Sequence, residues 1–367
     1  MIPVNRPKFQ GNESKYLTEC IKTGWVSSEG KYIKKFENAL GQFTNRKYVS
    51  LVSSGTAALD IITKSIGIKK GDEVIVPNFT IISTIQQILK LEAKPIFIDS
   101  SFFDWNMNID LIELKITKKT KAIFIVHTYG MPVDIDKLKL IKKKYPHIII
   151  VEDSAELFGQ TYKGKYCGSF FDISLFSFYA NKNITTGEGG AILTNNQRFF
   201  KKFNYYKNLC FEKKRFIHRD LGWNYRMSNL QAAVGLAQIE NIEKIIKRKR
   251  EIGFLYNKFF RKHPNIVSQI NETNYSKNIY WVYGILINKN KLKASQIIVE
   301  LKKKGVDSRP FFFPLNKQPL LKNFKYQNNH KYPVSSYLYD YGLYLPSGVG
   351  VTNKEIKISA ETLISII

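Results

Sequence analysis

The sequence predicts an α/β protein, with a large domain built on a mostly parallel sheet and a smaller α+β C-terminal domain. Three observations predict it. From Tyr48 to about Val126 short strand-like runs alternate with amphipathic stretches, the pattern of strands joined by crossover helices. Ile148 to Val151 is apolar at every position, as befits a strand buried on both faces. Near Gln238 the texture changes to a long charged helical pattern, Ile239 to Lys258, which places a boundary near residue 240 and gives domains 1–240 and 241–367.

Composition narrows the function classes. At 367 residues, 44% hydrophobic and 14% aromatic, the chain can bury a large core, and disorder is not expected. A formal charge of +27 admits nucleic acid, an anionic membrane or anionic small substrates. The lysines are dispersed among Ile and Asn, the pattern of a solvated surface, so neither nucleic acid nor membrane is an expected partner. Cys20, Cys167 and Cys210 show no CxxC spacing and the five histidines are scattered, so no disulfide framework and no metal site is expected. The N-terminus, Met1-Ile2-Pro3-Val4-Asn5-Arg6-Pro7, has no apolar run of signal-peptide length, and no segment reaches the length of a membrane span. With the cysteines, this points to the cytoplasm.

Taken in order, Tyr48 to Val52 is the first strand, and Ser53-Ser54-Gly55-Thr56 leads from it into a helix. A helix start offers free N–H groups and a positive dipole end to an anion, so this is either a phosphate site or merely an N-cap. Val74 to Val76 and Pro95 to Ile98 follow as strands, with Pro77-Asn78-Phe79-Thr80-Ile81 after the first of them. Ala122 to Val126 ends in His127, which reads equally as a substrate contact or a histidine satisfied in the core. Ile148 to Val151 ends in Glu152-Asp153-Ser154-Ala155-Glu156, and ligands of such sheets bind at the carboxyl ends of strands. Asp153 there is either a helix cap or the partner of a ligand's ring nitrogen.

Ile173 to Phe178 and Ala191 to Thr194 are two further strands, and Lys182 lies in their connection. An amine that faces a cavity there loses solvation, which lowers its pKa and makes it nucleophilic. Gly187, Gly189 and Gly190 suit a backbone that turns tightly or approaches a ligand closely. Such an amine is what Schiff-base chemistry with pyridoxal phosphate needs. Beyond the boundary, Ile279 to Ile287 reads as a strand and Ala294 to Lys304 as a helix. The aromatic run Phe311-Phe312-Phe313 is either core packing or substrate contact.

The segment Ser177-Phe178-Tyr179-Ala180-Asn181-Lys182-Asn183-Ile184-Thr185-Thr186-Gly187-Glu188-Gly189-Gly190 resembles the lysine segment of the DegT/DnrJ/EryC1/StrS sugar aminotransferases, and among them that of the GDP-perosamine synthases. The likeness runs from Gly24-Trp25-Val26 to Leu345-Pro346-Ser347. It implies the aspartate aminotransferase-like fold type I, whose large domain carries a seven-stranded sheet, and pyridoxal 5'-phosphate (PLP, alternating with PMP) as cofactor. By resemblance Lys182 is the catalytic lysine, Gly55, Thr56 and Ser177 hold the cofactor phosphate, and Asp153 partners the pyridinium nitrogen. Glu156 stands beside the phenolic oxygen, and Ile81 covers a ring face where many relatives have Tyr or Trp.

The segment Gly222-Trp223-Asn224-Tyr225-Arg226-Met227 is similar to one whose asparagine reaches a partner's cofactor phosphate, which implies a homodimer with shared active sites through Asn224. Arg226 is a substrate contact or an interface ion pair. His127, Asn316 (where relatives have His) and Lys317 stand at substrate-facing positions. The implied reaction is transfer of an amino group, with L-glutamate as donor, to an anionic keto substrate. A nucleotide-linked 4-keto-6-deoxy sugar for a bacterial surface polysaccharide or capsule is the first expectation. A small phosphorylated ketone is the alternative.

Overall fold

A computed structural model describes residues 1–214, 216–288, 292–324 and 330–367. The first strands and helices alternate: α1 (Glu13–Thr23), α2 (Lys31–Thr44), β1 (Tyr48–Val52), α3 (Gly55–Ser65), β2 (Glu73–Pro77), α4 (Ser83–Lys90), β3 (Lys94–Ile98), β4 (Thr120–Val126), α5 (Ile135–Lys144) and β5 (Ile149–Asp153). A small hairpin, β6 (Thr161–Tyr162) and β7 (Lys165–Tyr166), precedes β8 (Ile173–Ser177), β9 (Gly190–Thr194), α6 (Gln197–Tyr206) and α7 (Asn229–Ile239).

Seven of these strands form one sheet in the order β1-β9-β8-β5-β4-β2-β3. Strand β9 pairs antiparallel with both neighbours, and the remaining pairs are parallel. The carboxyl ends of β1, β2, β4, β5 and β8 therefore share one edge. Side-chain alternation explains how the sheet holds helices on both faces. Val74 and Val76 join the core under α3 and α4, whereas Ile75 between them joins the core under α5. Toward the β1 side, Leu51, Leu193 and Phe176 pack with Phe36 and Leu40 of α2 and with α7.

The rest of the chain forms α8 (Ile242–Phe260), β10 (Ile266–Ser268), β11 (Tyr283–Ile287), α9 (Ala294–Lys303), β12 (Arg309–Pro310), α10 (Pro333–Tyr341), β13 (Gly342–Leu345) and α11 (Asn353–Ile364). A second, antiparallel sheet runs β10-β11-β13-β12. Ile252, Tyr256 and Phe260 of α8 pack on it with α9 and α11. The N-terminal residues lie along this part too: Ile2 bridges Val306, and the Ser347 amide donates to the Val4 carbonyl at 3.1 Å.

Two expectations are corrected. The strand expected from Ile279 begins only at Tyr283, because Tyr280 has a left-handed φ of 50° and its amide is taken by Asn278 Oδ1 at 2.7 Å. The long helix expected from Ile239 is broken there: α7 ends at Ile239 and α8 starts at Ile242. Among the described residues no helix is long and apolar enough to cross a membrane.

Candidate active site

The shared carboxyl edge of the large sheet forms the floor of a cleft of about 410 Å3. Each functional side chain is carried there by a strand end. The loop between β8 and β9 carries Lys182 and is held by its own polar groups. Phe178 N–H donates to Gly189 at 2.8 Å, Lys182 N–H to Tyr179 at 2.9 Å and Thr186 N–H to Phe178 at 2.9 Å. Thr185 Oγ1 donates to the Phe178 carbonyl at 3.1 Å and accepts from Gly187 N–H at 2.9 Å. Gly187 sits at φ 79°, and a Cβ on Gly190 would lie 2.6 Å from the Ser54 carbonyl, so the loop needs glycine at both places.

Lys182 is half-buried and its Nζ lies 3.8 Å from the centroid of the Trp281 ring. Burial pushes its pKa down, and the nearby Glu156 and Asp153 offset part of the fall. Asp153 ends β5 and accepts from Ala155 N–H at 3.0 Å. No helix starts there, so of the two readings the helix cap is dropped. Burial raises the Asp153 pKa, against the Ala155 amide and the Lys182 charge. Glu156 Oε2 accepts from Tyr129 N–H at 2.8 Å, and burial raises this carboxyl as well. Three titratable groups thus share one poorly solvated space, where charge is stable only if balanced.

The other wall is the start of α3. Ser54 caps it, accepting from Ala57 N–H at 3.0 Å, while the first-turn amides of Gly55 and Thr56 have no acceptor within the helix. Ser177 stands against them: a Cβ on Gly55 would be 2.9 Å from the Ser177 Cβ. Ile81 lines the mouth and is 51% exposed. One lysine, one carboxylate at a strand end and an anion-binding helix start therefore face one cavity.

The chain matches the DegT/DnrJ/EryC1/StrS aminotransferase family over residues 7–363. It belongs to that family. It is 40% identical over 366 residues to a GDP-perosamine synthase of Escherichia coli O157:H7, with 99% of this chain and 97% of that protein covered. It is 37% identical over 359 residues to a GDP-perosamine synthase of Vibrio cholerae, covering 97% and 96%. Its fold matches that of a protein from Streptococcus pneumoniae described as a sugar aminotransferase, in its PMP form, with a TM-score of 0.90, 26% identity and coverage of 100% and 99%. The chain is a PLP-dependent aminotransferase of fold type I.

Its cleft fits the family's cofactor. The unpaired first-turn amides with the Ser177 hydroxyl suit a phosphate, the buried Asp153 suits a ring nitrogen, and Lys182 suits an aldehyde. Gly55, Thr56, Ile81, Asp153, Glu156, Ser177 and Lys182 all line this one cavity.

Five other expected residues do not line it. His127 is 0% exposed, with Nε2 3.2 Å from Glu152 Oε1 and Nδ1 accepting from Val133 N–H at 3.2 Å. Both ring nitrogens are engaged, so it is a core histidine and not a substrate contact. Burial alone would raise the Glu152 pKa, but His127, the Gly168 amide and Arg46 bring it below the usual carboxyl range. His127, Glu152 and Cys167 form a buried trio whose polar atoms lie within 4.8 Å of one another. Asn316 is turned away as well. Its Oδ1 accepts from Asn78 Nδ2 at 2.9 Å and its N–H donates to Asn78 Oδ1 at 2.9 Å. The next residue, Lys317, is exposed outside the cleft. Arg226 Nε donates to Asn224 Oδ1 at 2.9 Å, and the pair lies on the outer surface of the chain.

Sequence reasoning missed Trp281, in the segment that leads into β11, and Tyr344 of β13, which both line the cleft. Only the closeness of Tyr344 to Leu345-Pro346-Ser347 could have signalled it.

Proposed function

We propose that this enzyme aminates a nucleotide-linked 4-keto-6-deoxy sugar, with L-glutamate as donor, and so makes a 4-amino sugar for a bacterial surface polysaccharide such as a capsule. The likeness to GDP-perosamine synthases at 40% and 37% identity, over nearly the whole chain, carries this reading. Pyridoxal phosphate, when bound, supplies a carbonyl that condenses with amines and a ring that takes up the electron pair released at the neighbouring carbon.

The chain's own groups do the rest. Lys182 Nζ would anchor the cofactor and, when its amine is free, would carry protons to and from the reacting carbon. Its depressed pKa keeps a fraction of the amine neutral and able to accept them. Asp153 holds a proton on the ring nitrogen, and Glu156 stands beside the ring oxygen. The Gly55 and Thr56 amides with the Ser177 hydroxyl fix the phosphate end, and Ile81 covers the ring and excludes water. Asn224, exposed on its own chain, serves the cofactor phosphate of a second copy in a homodimer. The enzyme works in the cytoplasm as domains 1–240 and 241–367. The basic residues Lys213, Lys214, Arg215 and Lys317 are candidates to receive the nucleotide's phosphates, and of these Arg215 lies outside the described residues.

The test is to load the protein with pyridoxamine phosphate and offer GDP-, UDP- and dTDP-linked 4-keto-6-deoxy sugars beside dihydroxyacetone phosphate. Return of the cofactor to its aldehyde form with a nucleotide sugar is the expected outcome. Faster return with the triose phosphate overturns the reading. Asn316→His should leave the preference for a nucleotide-linked ketone in place, since Asn316 Oδ1 and N–H are engaged by Asn78.

A further inference from the structure

Lys249 of α8 is 2% exposed. Its ammonium is held by main-chain carbonyls, donating to Trp281 at 2.8 Å and to Ser347. Burial, and then the charge of Arg248, push its pKa down to about 7. A methionine would fill the same space without the desolvation cost of a buried amine, so a role for the amine has to be sought in what it holds.

Both acceptors lead to the cleft. Trp281 lays its ring over Lys182 Nζ at 3.8 Å, and its Nε1 donates to the Asn181 carbonyl at 2.9 Å. Ser347 Oγ accepts from the amide of Tyr283, the first residue of β11, at 3.0 Å. Lys249 therefore pins the entry to β11 from both sides.

Behind the lysine loop lies a second, smaller chamber with room for about one water molecule. It is lined by Asn181, Lys182, Asn183, Thr185, Gln238 and Lys249. The Oδ1 atoms of Asn181 and Asn183 are buried and have no hydrogen-bond partner among the described residues. A lysine ammonium has three protons, and two of those on Lys249 are used. A water in the chamber would give the orphaned acceptors a donor and take the third. Among the described residues, the charged groups around the chamber are Lys8 and Lys182 on its walls, Arg248 on α8 and Glu13 of α1, which accepts from the wall residue Gln238 at 2.6 Å, with Glu156 and Asp153 acting on Lys182.

We propose that Lys249 is a positioning residue for Lys182: through the Trp281 carbonyl and a bound water it holds the indole face on the lysine amine. The inference rests on Lys182 being the reactive amine. An aromatic face favours the charged form of an amine above it, so releasing the indole should lower the Lys182 pKa.

The experiment uses the cofactor-free protein and measures, against pH, the rate at which an acylating reagent labels Lys182, read by peptide mass spectrometry. Lys249→Met is expected to lower the labelling midpoint by about 0.5 to 1 pH unit. Trp281→Leu should do the same, and the double variant should go no further than either alone. Lys249→Arg, which keeps the charge and the donors, should restore the wild-type midpoint. A midpoint that rises in Lys249→Met would mean that a positive charge had simply been removed, and additive effects would mean separate routes; either overturns the proposal. Should Lys249→Met not fold, Trp281→Leu alone decides, because an unchanged midpoint there removes the indole from the chain of contacts. A chain that labels as expected yet fails to transaminate counts against the proposed function and leaves this inference standing.

Discussion

The lysine loop between β8 and β9 and the segment around Asn224 differ in where their side chains find partners. In the loop, Thr185, Thr186 and Asn183 all bond within the chain, and Phe178 and Ile184 are in the core. In the other segment Leu221 is 87% exposed and Ile217 47%, and Asn224 is exposed beside Arg226. A single chain thus completes the reacting groups but leaves apolar surface uncovered where Asn224 stands, the kind of surface that marks an interaction site. The two stretches lie apart in the chain, so each can be altered separately.

The largest effect is expected at the loop. Lys182→Ala should remove the visible absorbance of the bound cofactor and cut kcat by about 10^4-fold or more, since anchoring and proton transfer are lost together. Spectra and single-turnover rates check it, and retained absorbance would place the anchor elsewhere. Asp153→Asn should keep the fold, because the amide oxygen can still accept from Ala155 N–H. Its rate should fall by roughly 10^2 to 10^3-fold, the size of one misplaced electrostatic group in an active site. A wild-type rate would remove Asp153 from the ring nitrogen.

Glu156 tests the charge balance around the loop. Burial raises its pKa, helped by Asp153 and opposed by Lys182 and the Tyr129 amide. The unfolded carboxyl ionises in the ordinary range, so the stability this group contributes is full at low pH and is lost as pH rises through the raised value. Glu156→Gln should flatten that fall, whose slope for one proton is at most about 1.4 kcal/mol per pH unit. Urea midpoints of the cofactor-free protein from acid to neutral pH measure it; identical slopes in variant and wild type would mean that Glu156 carries no proton there.

The smallest effect is expected at the outer segment. Asn224→Ala should leave each chain folded and weaken cofactor retention about tenfold, the size of one charge-assisted hydrogen bond, with loss growing on dilution as linkage requires. Sedimentation followed at the cofactor's absorbance decides it. A monomer that keeps the cofactor as tightly as the assembly would end the shared-site reading.

How much of this was legible in the sequence follows from which contacts are local. Asp153, Glu156 and Lys182 stand just past the ends of apolar runs, and strand ends of a parallel sheet share an edge, so their meeting could be read along the chain. His127 stands past such an end too, yet the amide of His127 continues the ladder to Asp153 at 3.3 Å. Side chains alternate there, so Val126 faces the cleft and His127 the interior. A shift of one residue separates substrate contact from core, and pattern alone does not fix it. Trp281 and the Asn78–Asn316 pair depend on contacts across 100 and 238 positions of the chain, which periodicity does not report.

Strand β9 has a consequence for spacing. Val52 at the end of β1 pairs with Gly190, and Gly190 pairs with Ser177 at the end of β8. One rung of the ladder therefore spans three strands, with the start of α3 at one end and the root of the lysine loop at the other. That rung fixes the distance between the start of α3 and the lysine loop. An insertion within the loop can bulge outward without altering it, whereas a register slip of β9 would change the gauge itself. Transplanting the site into another scaffold would require moving β1, β8 and β9 as one piece.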